Sequence, residues 1–203
     1  MSALATVSGG GGEPVREGKY ARIERERRFL LAAPPPSSAL TARRRITDRY
    51  LPGTRLRLRR VEWDDSRSRP DHAGQDDGGE SEFKLAQKLP SGHPGHLRGL
   101  ITNTYLSAAE YELLASLPAD VLTKTRFSLP PLAVDIFEPP LHGLVMAEAE
   151  FSTDEAALSF AVPAAAVAEV TDDARFAGGS LALTRRDDLL AWLAGYGISV
   201  EPG

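Results

Sequence analysis

The stretch Ile23–Leu31, IERERRFLL, sets two glutamates and three arginines in five consecutive positions ahead of an apolar run. On a helix these charges scatter around the cylinder and carry little chemistry. On a strand, side chains alternate faces, so Glu24, Glu26 and Arg28 share one face while Arg25 and Arg27 share the other. Two carboxylates and a guanidinium on one face must be paired, solvated or bound to something, because an uncompensated charge in a dry place is costly. The same period recurs along the chain. TRLRLRR puts Arg55, Arg57 and Arg59 on one face, with Leu56, Leu58 and Val61 assigned to the other. EFKLAQKL groups Lys84, Ala86 and Lys88, LTKTRF groups Lys124 and Arg126, AVDIF isolates Asp135 in an apolar strand, and MAEAEF pairs Glu148 with Glu150. Any one of these strands reads as the solvated side of an antiparallel sheet. Together they do not, because solvated faces mix Ser, Thr and Gln with both signs of charge, whereas these segregate into cation rows and carboxylate pairs. Like charges in a row repel unless a ligand offsets them. Rows of Arg and Lys suit phosphate oxygens, and paired carboxylates from distant strands suit a hard divalent cation such as Mg²⁺ or Mn²⁺.

The elements that must carry these residues follow from turn and period signals. A strand over 22–31 ends at the proline run 34–36, with a short helical turn from Ser37. Strands at 46–51 and 54–63 flank a Pro-Gly turn and form a hairpin. Further strands fall at 82–89, 100–106, 121–129, 133–138 and 144–151. Ser107 stands three residues before Glu110, a capping box that opens a helix, and further helices are predicted over 153–160 and 185–193, the last capped by Thr184. The reading is an α+β, mostly β chain: a closed eight-stranded antiparallel β-barrel forming a tunnel, with peripheral helices.

Composition narrows the partners. A chain of 203 residues, 42% hydrophobic and 26% charged, suits one core. We expect a flexible tail at 1–18 and a single domain at 19–203, with a disordered loop at about 64–80 and a C-terminal helix at about 185–195. No apolar run approaches a membrane span, and the opening residues lack the pattern of a secretory signal, which points to the cytoplasm. With no cysteine, thiol catalysis and thiolate metal sites are excluded, leaving oxygen and imidazole ligands. The four histidines, His72, His93, His96 and His142, fall in loops or turns. The net charge of −4 hides a basic zone, eight arginines between Arg43 and Arg60 against the single acid Asp48.

These residues and their order resemble the CYTH family, the triphosphate tunnel metalloenzymes. The family hallmark is an E-x-E-x-K strand, supplied here by ERERR with Arg28 at the lysine position. DRYL with Tyr50, TRLRLR, KLAQKL, LTKTRF, VDIF, GLVMAEAEF and EVTDDARFAGGSLA follow in the expected order across roughly residues 19–183. The resemblance implies a barrel tunnel that binds a small triphosphate with divalent metal. It implies metal-ligating or water-positioning roles for Glu24, Glu26, Asp135, Glu148 and Glu150, and phosphate-holding roles for Arg55, Arg57, Arg59, Lys84, Lys88, Lys124 and Arg126. It implies catalytic roles for Glu24, Glu26, Arg28 and Tyr50. Three departures stand out: Arg28 replaces lysine and hardly deprotonates, ITNTYLS offers Asn103 and Tyr105 where many relatives carry acids, and the 64–80 segment is long.

The leading expectation is metal-dependent hydrolysis of a triphosphate, with inorganic triphosphate first. Thiamine triphosphate hydrolysis, class IV-type adenylyl cyclase chemistry and non-catalytic polyphosphate or nucleotide binding are the alternatives. Nucleic acid is disfavoured, because the basic rows lack a stacking platform of aromatics and the net charge is negative. The resemblance and the apolar C-terminal helix leave room for a homodimer.

Overall fold

Alternation of apolar and charged residues produces ten strands among the described residues. The structure, a computed structural model, describes residues 20–63, 81–90 and 99–200, so the expected tail and the expected 64–80 loop lie outside the described residues. The strands are β1 Arg22–Glu24, β2 Glu26–Leu31, β3 Thr41–Tyr50, β4 Leu56–Trp63, β5 Ser81–Pro90, β6 Gly99–Leu106, β7 Asp120–Leu129, β8 Leu132–Phe137, β9 Val145–Glu150 and β10 Ala166–Glu169. They pair antiparallel in the order β1-β6-β5-β4-β3-β7-β8-β9-β2-β10. Helices α1 Ala108–Ala115, α2 Asp154–Ser159, α3 Gly178–Leu181 and α4 Arg186–Gly195 complete the α+β, mostly β architecture.

The expected closed eight-stranded barrel is not what forms. Hydrogen bonding begins at β1 and ends at β10, so the sheet is open and has ten strands. The physical reason lies at Arg25. The single strand predicted over 22–31 breaks there: its first three residues pair with β6, and the next six with β9 and β10. Because β1 and β2 are consecutive in the chain, both flanks of the sheet are drawn to one segment and the sheet curls around an interior. β10 was not anticipated, since four residues of alanine, valine and glutamate carry little strand propensity of their own. It forms where Glu169 meets Arg27 on the outward face of β2, through bonds of 2.8 and 2.6 Å.

Two corrections concern local detail. Val61 pairs with Ile46, and by period two it joins Arg57 and Arg59 on the inner face rather than the outer. There, buried Ile46, Val61 and Trp63 form a small apolar plug. Thr184 does not cap α4; its hydroxyl donates to the Ser180 carbonyl, and Arg185 occupies the cap position without a side-chain bond. The capping box read from sequence is present, with Ser107 and Glu110 bonding reciprocally at α1; Thr153 also caps α2, accepting from the Ala156 N–H. The main core joins Leu30, Leu122, Phe137 and Met146 of the sheet's interior to Phe176, Leu181, Leu189 and Leu193 of the C-terminal segment, which closes off that end of the interior.

Candidate active site

Register decides which charges meet. Glu26 lies opposite Glu150 and Arg28 opposite Glu148 across β2 and β9, while Glu24 lies on β1 opposite Gly99 of β6. Asp48 lies opposite Arg59, and Tyr50 opposite Arg57. The inner faces of eight strands converge on a narrow chamber of about 80 Å³. Of the predicted residues it gathers Glu24, Glu26, Arg28, Tyr50, Arg57, Arg59, Lys88, Lys124, Arg126, Glu148 and Glu150. The chamber opens into a wider cavity of about 540 Å³, whose wall includes Leu51, Leu56, Leu89, Leu100 and Leu183.

Three predicted residues fall elsewhere. Arg55 is exposed and lines the wide cavity only. Lys84 stays outside the chamber, 2.7 Å from Glu82 and over the Tyr105 ring at 4.9 Å. Asp135 is fully buried, takes Arg126 through bonds of 2.6 and 2.7 Å, and also pairs with Lys124. Its two oxygens are thus occupied by cations that themselves reach the chamber.

The two walls of the chamber differ in electrostatic state. On the β3–β4 wall, Asp48 is 1% exposed and accepts two bonds from Arg59, at 2.6 and 2.7 Å. The Arg57 Nε lies 3.4 Å from the same carboxylate. Burial alone would push Asp48 up, but Arg59 and Arg57 outweigh it and hold the carboxyl well below the usual range. On the β2–β9 wall, burial and the neighbouring Glu148 push the Glu26 carboxyl up; Glu24 adds to this, and Lys88 and Arg28 only partly offset it. Glu148 goes the other way: against the cost of its burial, Arg126 and Lys124 hold it far down. Glu24 is engaged by Lys88 at 2.7 Å, whereas the nearest guanidinium nitrogen to Glu26 is Arg28 Nε at 3.7 Å. Glu26 therefore has less compensation than Glu24 or Glu148.

Arg28 does something a lysine there could not. Its two terminal nitrogens donate to the carbonyls of Phe176 and Thr171 at 2.8 and 2.7 Å, and its backbone N–H donates to the Thr171 hydroxyl. The planar fork ties the C-terminal segment to β2. Tyr50 is likewise hemmed in. Burial, seconded by Asp48, pushes its phenol up to about 12, so it stays protonated at neutral pH. A Cβ at Gly178 would come within 2.1 Å of the phenol oxygen, so only glycine lets α3 approach so closely.

Sequence reasoning missed Asp48 as an organiser of the arginine row. The signal was present, since Asp48 is two residues before Tyr50 and shares its face, but it was read only as a minority charge in a basic zone. It also missed Glu82, 8% exposed and paired with Lys84.

Fold and site together define a curled antiparallel sheet that encloses a chamber of opposed carboxylates and cations. Among solved structures the chain is similar to the inorganic triphosphatase NE1496, at 24% identity and a TM-score of 0.48, over 79% of this chain and 95% of that one. It is also similar to the PH1819 protein from Pyrococcus horikoshii OT3, at 15% identity and a TM-score of 0.43, over 66% of this chain and 82% of that one. No protein-family model matches the chain, and no curated protein matches it. Among the described residues no helix is long and apolar enough to cross a membrane.

Proposed function

We propose that the chamber binds a small triphosphate with a divalent cation and hydrolyses its terminal phosphoanhydride, with inorganic triphosphate as the first substrate. The observation that carries this reading is the opposition, within one chamber, of an undercompensated Glu26 beside Glu24 and Glu148 to a wall of arginines and lysines. A triphosphate carries about four negative charges, and its hydrolysis needs neutralisation and an aligned water more than covalent catalysis. Arg57, Arg59, Lys88, Lys124 and Arg126 supply fixed positive charge for the phosphate oxygens. Tyr50, kept protonated, donates a hydrogen bond rather than accepting a proton.

The donor set fits Mg²⁺ or Mn²⁺. It is all carboxylate oxygen, which suits a hard ion held together with the phosphates of the substrate; among the described residues no group of three His, Cys, Asp or Glu side chains is placed to hold a metal ion by itself. Glu24, Glu26, Glu148 and Glu150 are the residues that would hold it, and Asp135 acts instead by positioning Arg126 and Lys124. Such an ion would supply charge neutralisation at the phosphate oxygens. Attack by water forms one P–O bond and breaks the anhydride P–O bond; the water's proton passes to a carboxylate and then to solvent, leaving orthophosphate and pyrophosphate. Arg28 serves the site by anchoring Thr171 and Phe176, so its replacement of lysine does not remove a proton carrier the reaction needs.

The test is release of orthophosphate from tripolyphosphate by the full chain. Turnover with Mg²⁺ or Mn²⁺ that stops with EDTA is expected; tight triphosphate binding without release under either ion would instead mark a binding protein. A second reading has its own observation: the apolar wall of the wide cavity, Leu51, Leu56, Leu89, Leu100 and Leu183, adjoins the chamber and suits an organic group. Faster turnover of thiamine triphosphate or ATP than of tripolyphosphate, or formation of cyclic AMP from ATP, would favour it.

A further inference from the structure

A second cavity adjoins the chamber. Arg44 shares the inner face of β3 with Tyr50, six residues away, which places it about 20 Å along the strand from the wide cavity. It lines a separate cavity of about 300 Å³ with Arg126, Ser128, Glu148 and Glu150, closed on one side by the turn at Pro130 and Pro131. Arg126, Glu148 and Glu150 also line the chamber, so the two spaces share a wall.

Arg44 differs from the other cations of the inner face. Arg28, Arg57, Arg59, Lys84, Lys88, Lys124 and Arg126 each have a carboxylate within 4.0 Å, whereas among the described residues Arg44 has none. Its guanidinium lies over the Trp63 ring, 5.0 Å from the centroid, which fixes its plane and leaves an edge of N–H donors uncommitted. Burial, and then the like charge of Arg126, pull its affinity for a proton below the usual arginine value. The backbone is also specialised: the register between β3 and β7 shifts between Thr41 and Arg44, and Ala42 within that shift takes a left-handed conformation at φ 44°. Such bulges re-aim a side chain, and strain of this kind persists where the surrounding structure demands it. Of the two acids in the cavity, Glu148 is taken by Arg126, and Glu150 is exposed.

We propose that this second cavity is a binding site for inorganic phosphate, with Arg44 and the Ser128 hydroxyl as its donors, separate from the chamber that holds the triphosphate. The origin of that phosphate rests on the triphosphate reading; the binding itself does not, and its test needs no turnover.

The experiment is calorimetric titration of the full chain with inorganic phosphate, alone and with a saturating non-hydrolysable imido-bridged triphosphate. Phosphate binding that changes less than about twofold when the analogue is present is expected, weakened at least tenfold by Arg44→Gln and less by Arg44→Lys. Thermal melts show whether the variants are folded. Should Arg44→Gln not fold, tryptophan emission decides in Trp192→Phe, where Trp63 is the remaining indole: phosphate shifts it if the site is real. Absence of phosphate binding, displacement of phosphate by the analogue, or equal affinity in folded Arg44→Gln overturns the proposal.

Discussion

The two long walls of the chamber solve the same problem in opposite ways. On β3 and β4, Asp48 sits inside a pair of arginines and is held ionised, so the acid is fully paired and one positive charge is left over. On β2 and β9, Glu26 is desolvated among other carboxylates, and its nearest cation contact is long. The first wall has its acid fully paired and keeps a net positive charge, whereas the second has an acid that its cations only partly offset. A buried group that stays poorly compensated in a native fold marks where binding energy is to be gained, while a well-compensated one marks what holds the binder in shape.

The comparison breaks most visibly at Asp48. Asp48→Asn leaves Arg57 and Arg59 buried without their anion, and we expect a loss of about 3–5 kcal/mol in unfolding free energy. The pH arm follows from sign. A carboxyl depressed in the folded state binds its proton less readily there than in the unfolded chain. Its contribution is therefore present above its unfolded value near 4 and lost as pH falls toward its folded one. Wild-type melting temperature should drop as the buffer is taken from about pH 4 downward, and the Asp48→Asn profile should be flatter across that range.

Glu26→Gln tests the other wall. Removing an undercompensated charge should leave the melting temperature unchanged or raised, while phosphate release falls about a hundredfold, close to 2.7 kcal/mol of lost transition-state stabilisation. A matched fall in melting temperature and rate would show that Glu26 is held as Asp48 is, and would erase the contrast. The smallest effect is expected at Tyr50. Tyr50→Phe should change stability little at neutral pH. The wild-type phenol, raised to about 12 against an ordinary value near 10, contributes stability that is full below pH 10 and declines as pH rises through 12. Denaturant unfolding of both proteins between pH 9 and 12 measures that decline, which Tyr50→Phe lacks.

The same contrast explains what sequence could and could not disclose. Period-two alternation turned Glu24, Glu26, Arg28, Lys124, Arg126, Glu148 and Glu150 toward one interior, because facing depends only on a residue's own strand. Partnership depends on register between strands, which alternation leaves open. The family resemblance implied a metal-ligand role for Asp135 and a phosphate-holding role for Arg55; one lies under Arg126 and Lys124, and the other is exposed before β4 begins. Barrel closure failed for a related reason, since nothing in ERERR distinguishes a continuous strand from one that changes partners at Arg25. Arg28 was judged by the proton chemistry of its side chain, yet its fork serves two backbone carbonyls 143 and 148 residues away.

That tether bears on how the protein is made. Arg28 leaves the ribosome early and must wait for Thr171 and Phe176 before its guanidinium has its acceptors. Through most of synthesis β2 therefore carries a bare cation beside Glu26, with neither β9 nor the C-terminal segment yet in place. Contacts so far apart in sequence form slowly. Competence to bind should thus arrive late and abruptly, when the stretch following β10 docks, so that a nascent chain halted before Thr171 is a curled sheet with no sealed end.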